Sequence, residues 1–418
     1  AAATIQVSGG NLTLRNVVVQ ESSTSSQAAL LLTGGAVDLG TTASPGGNTF
    51  NVNDPGELIR NTGAGAVSAF GNTFQVDGIT QTSPYRIEDK IFHALDNGGG
   101  GLVSYVAGND YVTNNSGSIQ RGVDAVAAGG TVNVEAGSYT PYTVGAKLLT
   151  VGFENGPSLT QQPDTLNPGS RTLVVQGTPG NDTMVFNPRG DTGGTVQVLV
   201  NVVAPGTFSP TGRLIAYGQR GDDDIQVAGT LSLPAWLYAD AGNDRLKAGA
   251  GNDVLLGGYG DDLIVGGDGR DLLIGGFGAD RLVGNAADDI LIAGTTDHDA
   301  DEAALCAIMK VWTWTDAGAD YCTRVDHRQN GCGSNGSVLL NECTVHDDGA
   351  ADVLTGSAGQ DWFLFNQDST GGVIDKATDM KTFEALFAED LAFITGIRWT
   401  EDWVALRGNS QPRFPIFR

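Results

Sequence analysis

The run Gly257-Gly258-Tyr259-Gly260-Asp261-Asp262-Leu263-Ile264-Val265 is one of six nine-residue blocks that follow one another without a break from Ala239 to Ile292. The blocks start at Ala239, Ala248, Gly257, Gly266, Gly275 and Gly284. Their sixth residue is always Asp: Asp244, Asp253, Asp262, Asp271, Asp280 and Asp289. Their eighth is always aliphatic: Leu246, Leu255, Ile264, Leu273, Leu282 and Leu291. Glycines punctuate the front of each block, at Gly242, at Gly251, and as the pairs Gly258 and Gly260, Gly267 and Gly269, Gly276 and Gly278. A fixed short period with one invariant apolar position describes a solenoid. Each block is a turn plus a short strand that cannot bury its apolar side chain alone, and stacking makes a continuous core.

Each residue type has a chemical reason. Glycine permits positive φ and close backbone approach, so a tight turn can direct carbonyl oxygens inward. The Asp adds carboxylate oxygen, and oxygen cages of this kind suit Ca²⁺ at about 2.3–2.6 Å. The pattern resembles the RTX, or haemolysin-type, calcium-binding repeat G-G-x-G-x-D-x-U-x, which the block at 257 fits in full. The resemblance implies that successive blocks form opposite halves of one coil. Asp244, Asp262 and Asp280 then stack on one edge, and Asp253, Asp271 and Asp289 on the other. Carboxylates one coil apart, about 4.8 Å, repel by roughly 1 kcal/mol even in water. The expected cofactor is therefore calcium, several ions of it, with the named Asp and Gly residues as the metal site.

Working outward, Gly218 to Gln226 is a further block with Asp223 in sixth position, and we count Asp223 with the metal site. Gly177 to Val185 is looser. Beyond an interruption, Asp347 to Thr355 carries Asp352 and Leu354, and Gly356 to Leu364 carries Asp361 and Phe363. Lacking the glycine pairs, these late blocks read as structural. The half-coils starting at 248, 266 and 284 are also apolar at the outward positions Val254, Leu256, Leu272, Ile274, Ile290 and Ile292. The opposite half-coils carry Arg245, Lys247 and Arg281 there. A sheet apolar on both faces needs a cover. The helical stripe Leu305, Ile308, Met309 and Trp312 is one candidate, and Phe383, Phe387, Leu391 and Ile394 another.

Towards the N-terminus, Gly47-Asn48-Thr49-Phe50 recurs as Gly71-Asn72-Thr73-Phe74. A period in the twenties with short strands and Gly-rich turns predicts coils of a right-handed parallel β-helix, with Asn48 over Asn72 as a ladder; a β-sandwich is the alternative. Ile87, Ile91 and Leu95 after Pro84 predict a helix, with His93 packed on it. Ile119, Val123 and Val126 predict a second helix, followed by the strand-forming run Thr131 to Tyr139. That helix and strand resemble the opening cap and first strand of pectate-lyase-like β-helices. Residues 150–168, with Pro157, Pro163 and Pro168, read as a linker. Residue 1 reads as lying inside a coil, so the chain is expected to continue something longer.

The resulting expectation is an all-β β-solenoid: right-handed parallel β-helix segments, then a calcium-binding parallel β-roll, with a few short covering helices. The divisions are 1–83 (β-helix coils), 84–167 (helical cap, second β-helix segment and linker), 168–292 (β-roll), 293–346 (Cys-containing insertion) and 347–418 (degenerate repeats and helical cap). Cys306, Cys322, Cys332 and Cys343 all fall in the insertion, without zinc-type spacing, and predict two disulfides.

The chain has 418 residues, 61 of them Gly, and a formal net charge of −25. That balance disfavours nucleic acid as a partner, and no apolar run reaches the roughly 20 residues of a membrane span. No G-x-S-x-G, H-E-x-x-H or phosphate-cradling loop is present, so an enzyme is not expected. N-x-S/T triplets begin at Asn11, Asn114, Asn181 and Asn335. The RTX resemblance implies export through low cytosolic calcium and folding outside the cell. The reading is a calcium-binding protein of the bacterial surface or an extracellular fibre or matrix, with structural or adhesive work. Its expected partners are calcium, further copies joined end to end, and a surface polysaccharide or glycan. The alternatives are the C-terminal part of a polysaccharide-acting β-helix enzyme, or the secretion and folding tail of an exoprotein.

Overall fold

The computed structural model describes residues 3–21, 27–63, 65–96, 100–190, 194–201, 206–316, 319–330, 336, 338–367, 373–381 and 389–390. Two buried cores lie along the chain, one from Val7 to Val103 and one from Val112 to Phe365. A third apolar layer lies outside the second.

The first core is a stack of parallel coils. Strand Ala28–Gly40 pairs in parallel with Ile5–Thr13 on one side and with Glu57–Asn61 and Val67–Ala69 on the other. Strands Val18–Gln20, Thr49–Val52 and Thr73–Val76 form a second parallel sheet. Thr49 faces Thr73 and Phe50 faces Phe74, the 24-residue repeat of the sequence, and the two Phe rings stack at 5.9 Å. This is a solenoid, not the alternative β-sandwich. The buried Asn48 makes the expected ladder. Its N–H donates to Asn72 Oδ1 (3.0 Å), its own Oδ1 accepts from Val17 N (3.1 Å), and its amide donates to the carbonyls of Leu14 and Leu39.

After Pro84 the helix is shorter than the spacing predicts. Helix α1 covers only Pro84–Glu88, and Ile91–Phe92 is a strand that extends the parallel sheet beyond Glu57–Asn61. Pairing with an unfilled sheet edge overrides the helical spacing of Ile91. His93 is buried as expected, but beyond that strand. Its Nε2 lies 2.6 Å from Glu88 Oε1 and its Nδ1 accepts from Val103 N.

The second core is enclosed by a 12-stranded sheet and a 10-stranded sheet. Helix α2, Ile119–Ala125, is capped by Ser118, whose hydroxyl accepts from Arg121 N (3.3 Å). It buries Ile119 and Val123, with Val126 just beyond, against this core. Gly122 lets it approach, since a Cβ there would meet Val132 at 2.7 Å.

The expected linker is folded. Leu149–Phe153, Ser158–Pro163 and Arg171–Gln176 form an antiparallel meander in the larger sheet. Thr183–Pro188, Val196–Val200 and Gly206–Phe208 form its counterpart in the smaller one. Pro157 sits at the hairpin turn and Pro163 ends its strand, so neither needs the N–H that proline lacks. Buried Gln161 joins the two sheets, donating to Gly145 and Lys147 carbonyls and accepting from Ser209 N. No break in the core separates these strands from the repeats that follow.

From Leu214 onward pairing within the two large sheets is parallel, and between Trp236 and Ile292 each half-coil pairs with the residue 18 positions on. Trp236, Val254, Leu272, Ile290 and Trp362 form one row, and Arg245, Leu263, Arg281 and Val353 another. All six eighth-position side chains are fully buried, and such burial is worth roughly 1.5–3 kcal/mol each.

The cover on the apolar outer face comes from the insertion. Helix α3, Glu302–Trp312, lays Leu305, Ile308, Met309 and Trp312 against Val254, Leu272, Ile274, Ile290 and Trp362. Helix α4, Tyr321–Asn330, adds Tyr321 and Val325. The Trp312 indole donates to Asp288 O (2.7 Å), the Tyr321 hydroxyl to Asp361 O (2.8 Å), and Arg324 pairs with Asp288. The second candidate stripe, Phe383 to Ile394, lies outside the described residues. The expected disulfides are absent among the described residues: Cys306 is half-buried on α3 and Cys343 is an exposed thiol, while Cys332 is not described. Apolar packing and these polar ties hold the insertion on the sheet.

Candidate metal centre

The sixth-position Asp residues are buried in two ladders. In one, each backbone N–H donates to Oδ1 of the Asp on the next coil: Asp182 to Asp223, Asp223 to Asp244, Asp244 to Asp262, Asp262 to Asp280, Asp280 to Asp352 and Asp352 to Asp375, at 2.6–2.9 Å. The other ladder runs from Ala235 N through Asp253, Asp271 and Asp289 to Asp361. Asp244, Asp262 and Asp280 therefore share one edge, and Asp253, Asp271 and Asp289 the other. Asp182, Asp352, Asp361 and Asp375 belong to the same ladders, although the sequence reading assigned them no metal role. Sixth position in the degenerate blocks was the available signal for the first three; Asp375 lies 23 residues beyond Asp352 and fits no nine-residue block.

One carboxylate oxygen of each Asp is thus used. The other, Oδ2, is buried without a hydrogen-bond partner in Asp223, Asp244, Asp262, Asp271, Asp280, Asp289 and Asp352. Where a block opens with glycine, the Oδ2 of its Asp faces that glycine. A Cβ on Gly257 would lie 2.3 Å from Asp262 Oδ2 and 2.4 Å from Gly275 O; on Gly275 it would lie 2.5 Å from Asp280 Oδ2 and 2.2 Å from Ala293 O. The same closeness recurs at Gly218, Gly266, Gly284 and Gly356. At second and fourth positions, Gly258 (φ +106) and Gly260 (φ +125) sit over the carbonyls of Asp240 and Gly242 on the preceding coil, at contacts no side chain could share. Gly242, Gly267, Gly269, Gly276 and Gly278 also have positive φ. Gly251 does not; its place is dictated by Asp253 Oδ1, 2.6 Å from a Cβ there.

A burial of charge without partners is costly, and it shows in the acidities. Burial raises Asp223, Asp244 and Asp262 to about 7 and Asp280 and Asp352 to about 8, with neighbouring carboxylates adding to the rise at each. Burial likewise pushes Asp253, Asp271 and Asp289 up. Without a cation, the ladders hold protons near neutrality.

The donor set fits a hard cation. Each coil offers an orphaned carboxylate oxygen beside turn carbonyls, all oxygen and no sulfur or imidazole, as Ca²⁺ prefers. Among the described residues no group of three or more His, Cys, Asp or Glu side chains converges, as expected where backbone carbonyls supply much of the cage.

The family model for the RTX calcium-binding nonapeptide repeat, in four copies, matches at residues 238–273, 265–297 and 344–369. These are RTX repeats. The array binds calcium, and it resumes after the insertion, so the blocks of Asp352 and Asp361 belong to it. Comparison with curated proteins and with solved structures returns no match.

A third ladder was not foreseen. The exposed fifth-position side chains Asn181, Asp222, Asn243 and Asp261 accept from the N–H of Asp222, Asn243, Asp261 and Ala279, each one coil on. It runs in the opposite sense to the buried ladders.

Proposed function

We propose that this is an exported protein whose RTX array folds on calcium and then serves a structural or adhesive role at the bacterial surface or in an extracellular assembly. The observation that carries the reading is the row of buried Asp Oδ2 atoms without partners. Asp223, Asp244, Asp262 and Asp280 on one edge, and Asp253, Asp271 and Asp289 on the other, would hold calcium together with the turn carbonyls beside Gly242, Gly251, Gly258, Gly260, Gly267, Gly269, Gly276 and Gly278. Bound calcium supplies positive charge; the chain supplies a stacked, pre-shaped oxygen surface that is frustrated without it. A protein that meets little calcium during export and much of it afterwards gains its order where it is needed. The insertion that covers the outer apolar sheet keeps that order from exposing a sticky face. No catalytic constellation enters this reading. Thermal unfolding followed by circular dichroism, with calcium and with chelator, tests it: a melt indifferent to calcium overturns the folding role. Electron microscopy of the calcium-loaded protein tests assembly, and a uniform monomer at high calcium and protein concentration overturns the fibre.

A further inference from the structure

The insertion does not spread its polar ties evenly over the roll. Among the described residues, those at the end of α3 and on α4 run to the turns that carry one of the two Asp ladders. The Trp312 indole N–H donates to Asp288 O (2.7 Å), and the Tyr321 hydroxyl donates to Asp361 O (2.8 Å). Asp288 immediately precedes the ladder residue Asp289, and Asp361 is itself a rung. Arg270, which precedes Asp271, donates to the carbonyls of Trp312 (3.4 Å) and Trp314 (3.2 Å) at the end of α3, where a cation also meets the negative end of the helix. The other end of α3 is held by Glu302 to Tyr217 and Arg213, outside the six blocks.

Asp288 is shared between the two systems. Its Oδ1 accepts from Gln360 N on the next coil (2.9 Å), and its Oδ2 pairs with Arg324, whose guanidinium also lies 5.0 Å from the centre of the Trp312 ring. At each earlier rung of this edge the Asp carbonyl receives an N–H from the next coil: Leu272 N to Asp253 O, Ile290 N to Asp271 O and Trp362 N to Asp289 O. At Asp361 the Tyr321 hydroxyl donates to the equivalent carbonyl, so the insertion enters the hydrogen-bond pattern of the stack itself. On the opposite edge Asn243, Asp261 and Ala279 hold the fifth positions; they are exposed and follow their own ladder.

Docking and stacking depend on each other. The insertion has no apolar core apart from the sheet: Leu305, Ile308, Met309, Trp312, Tyr321 and Val325 all belong to the layer the two share. The face they cover exists only when coils are stacked, because one row alone takes Trp236, Val254, Leu272, Ile290 and Trp362 from five coils. Whatever stacks the coils therefore favours docking, and by linkage docking favours whatever stacks the coils.

We propose that the insertion is the outer shell of this calcium edge alone. Trp312 and Tyr321 are positioning residues: they fix the turns of Asp289 and Asp361, and so hold the ladder oxygens ready for calcium without touching it. Arg270 and Arg324 bring positive charge to the same turns, and Asp288 offsets part of it. The bracing therefore acts through geometry and not through added negative charge. The inference rests on the calcium reading above. Outer-shell partners of this kind are worth about tenfold or more in metal affinity.

Isothermal titration calorimetry of the full chain with calcium tests the assignment. The Trp312→Phe/Tyr321→Phe protein keeps an aromatic ring at both places and loses the two donors, with no change of charge. Its calcium midpoint should rise about tenfold, while its calcium-saturated circular dichroism matches the parent. A double-mutant cycle then separates positioning from general stability. In an Asp262→Asn background, on the open edge, the shift should persist; in an Asp289→Asn background it should shrink to about threefold or less. Absence of a shift in the parent, or equal shifts in the two backgrounds, overturns the proposal. If the double variant does not reach the parental saturated spectrum, Tyr321→Phe alone carries the same cycle, and the same comparison decides it. A parent that takes up no calcium defeats the calcium reading and the brace with it. A parent that takes it up, with both backgrounds shifting alike, defeats the brace alone.

Discussion

The two solenoid regions solve one problem with different side chains. Stacked coils leave turn N–H groups that need buried acceptors. In the first region Asn48 accepts from Val17 N, and its amide nitrogen then donates to two carbonyls, so nothing is left over. Asn72 repeats the arrangement, donating to Leu39 and Ala69. In the RTX array Asp262 accepts from Asp244 N with Oδ1, and Oδ2 stays buried without a partner. A neutral amide completes its ladder from within the chain. A carboxylate can complete it only with a proton or a cation, and that difference turns a permanent solenoid into a conditional one.

The largest consequence is regional. Chelation of calcium should release the array and leave the first coils in place. Hydrogen exchange by mass spectrometry should show fast exchange across residues 223–292 without calcium and unchanged protection across residues 28–76. Equal loss in both regions would show that the Asn coils depend on the roll, and the comparison would break.

Acidity should partly replace calcium in one region only. Unfolded Asp titrates near 4, whereas Asp223, Asp244 and Asp262 in the folded array titrate at about 7 and Asp280 at about 8. Between those limits the folded state holds more protons, so calcium-free stability falls as pH rises through the window and recovers as it drops. Chelated protein should therefore melt higher at pH 5.5 than at pH 8. The opposite trend would show that the folded ladder does not bind the extra protons, since a carboxylate held below its usual range, such as Asp164 beside Arg213, is ionised at both pH values. The ladder of Asn48 and Asn72 has no group to titrate, and protection there should not follow pH.

This contrast also shows which parts were legible from residues alone. The array was, because period nine repeats the same demands at each turn; its two Asp edges follow from the RTX resemblance, and the covering stripe of α3 from helical spacing. Its outlying blocks were legible too, but the place of Asp182 and Asp352 in the buried ladder was not, because their glycines have drifted and only stacking reveals their partners. Helix α4 carries no long apolar stripe and is held by Tyr321, Val325 and the Arg324–Asp288 pair. The meander at 149–176 hid behind prolines that occupy turn and strand-end positions. Ile91 followed helical spacing but found a sheet edge. Register across coils also places Tyr238 beside Tyr217 and Tyr259 beside Phe277, although the sequence separates them.

Exchanging the two chemistries should give effects of opposite sign. Asn48→Asp removes the donor to Leu14 and Leu39 and buries a charge, which should destabilise the first coils by about 3 kcal/mol. Asp262→Asn removes one orphaned oxygen and one ligand. It should raise the calcium-free melt by an amount worth about 1 kcal/mol and shrink the rise on adding calcium. Denaturant titration of each variant with and without calcium measures both. An Asp262→Asn protein that gains as much from calcium as the parent would remove that carboxylate from the site.

The smallest effect should come from Asp261→Asn, one residue away. Asp261 accepts from Ala279 N at the exposed edge of the array (2.9 Å). Its ladder already mixes Asn181, Asp222 and Asn243 in the same role, and water can satisfy whichever atom the turn does not use. An amide oxygen accepts the same hydrogen bond, so the change should lie within about 0.5 kcal/mol, with or without calcium. A larger loss confined to the calcium-loaded protein would place fifth-position carboxylates in the cation's field as well. With only the small change seen, the calcium response belongs to the sixth position, where burial rather than the mere presence of an acid makes the charge matter.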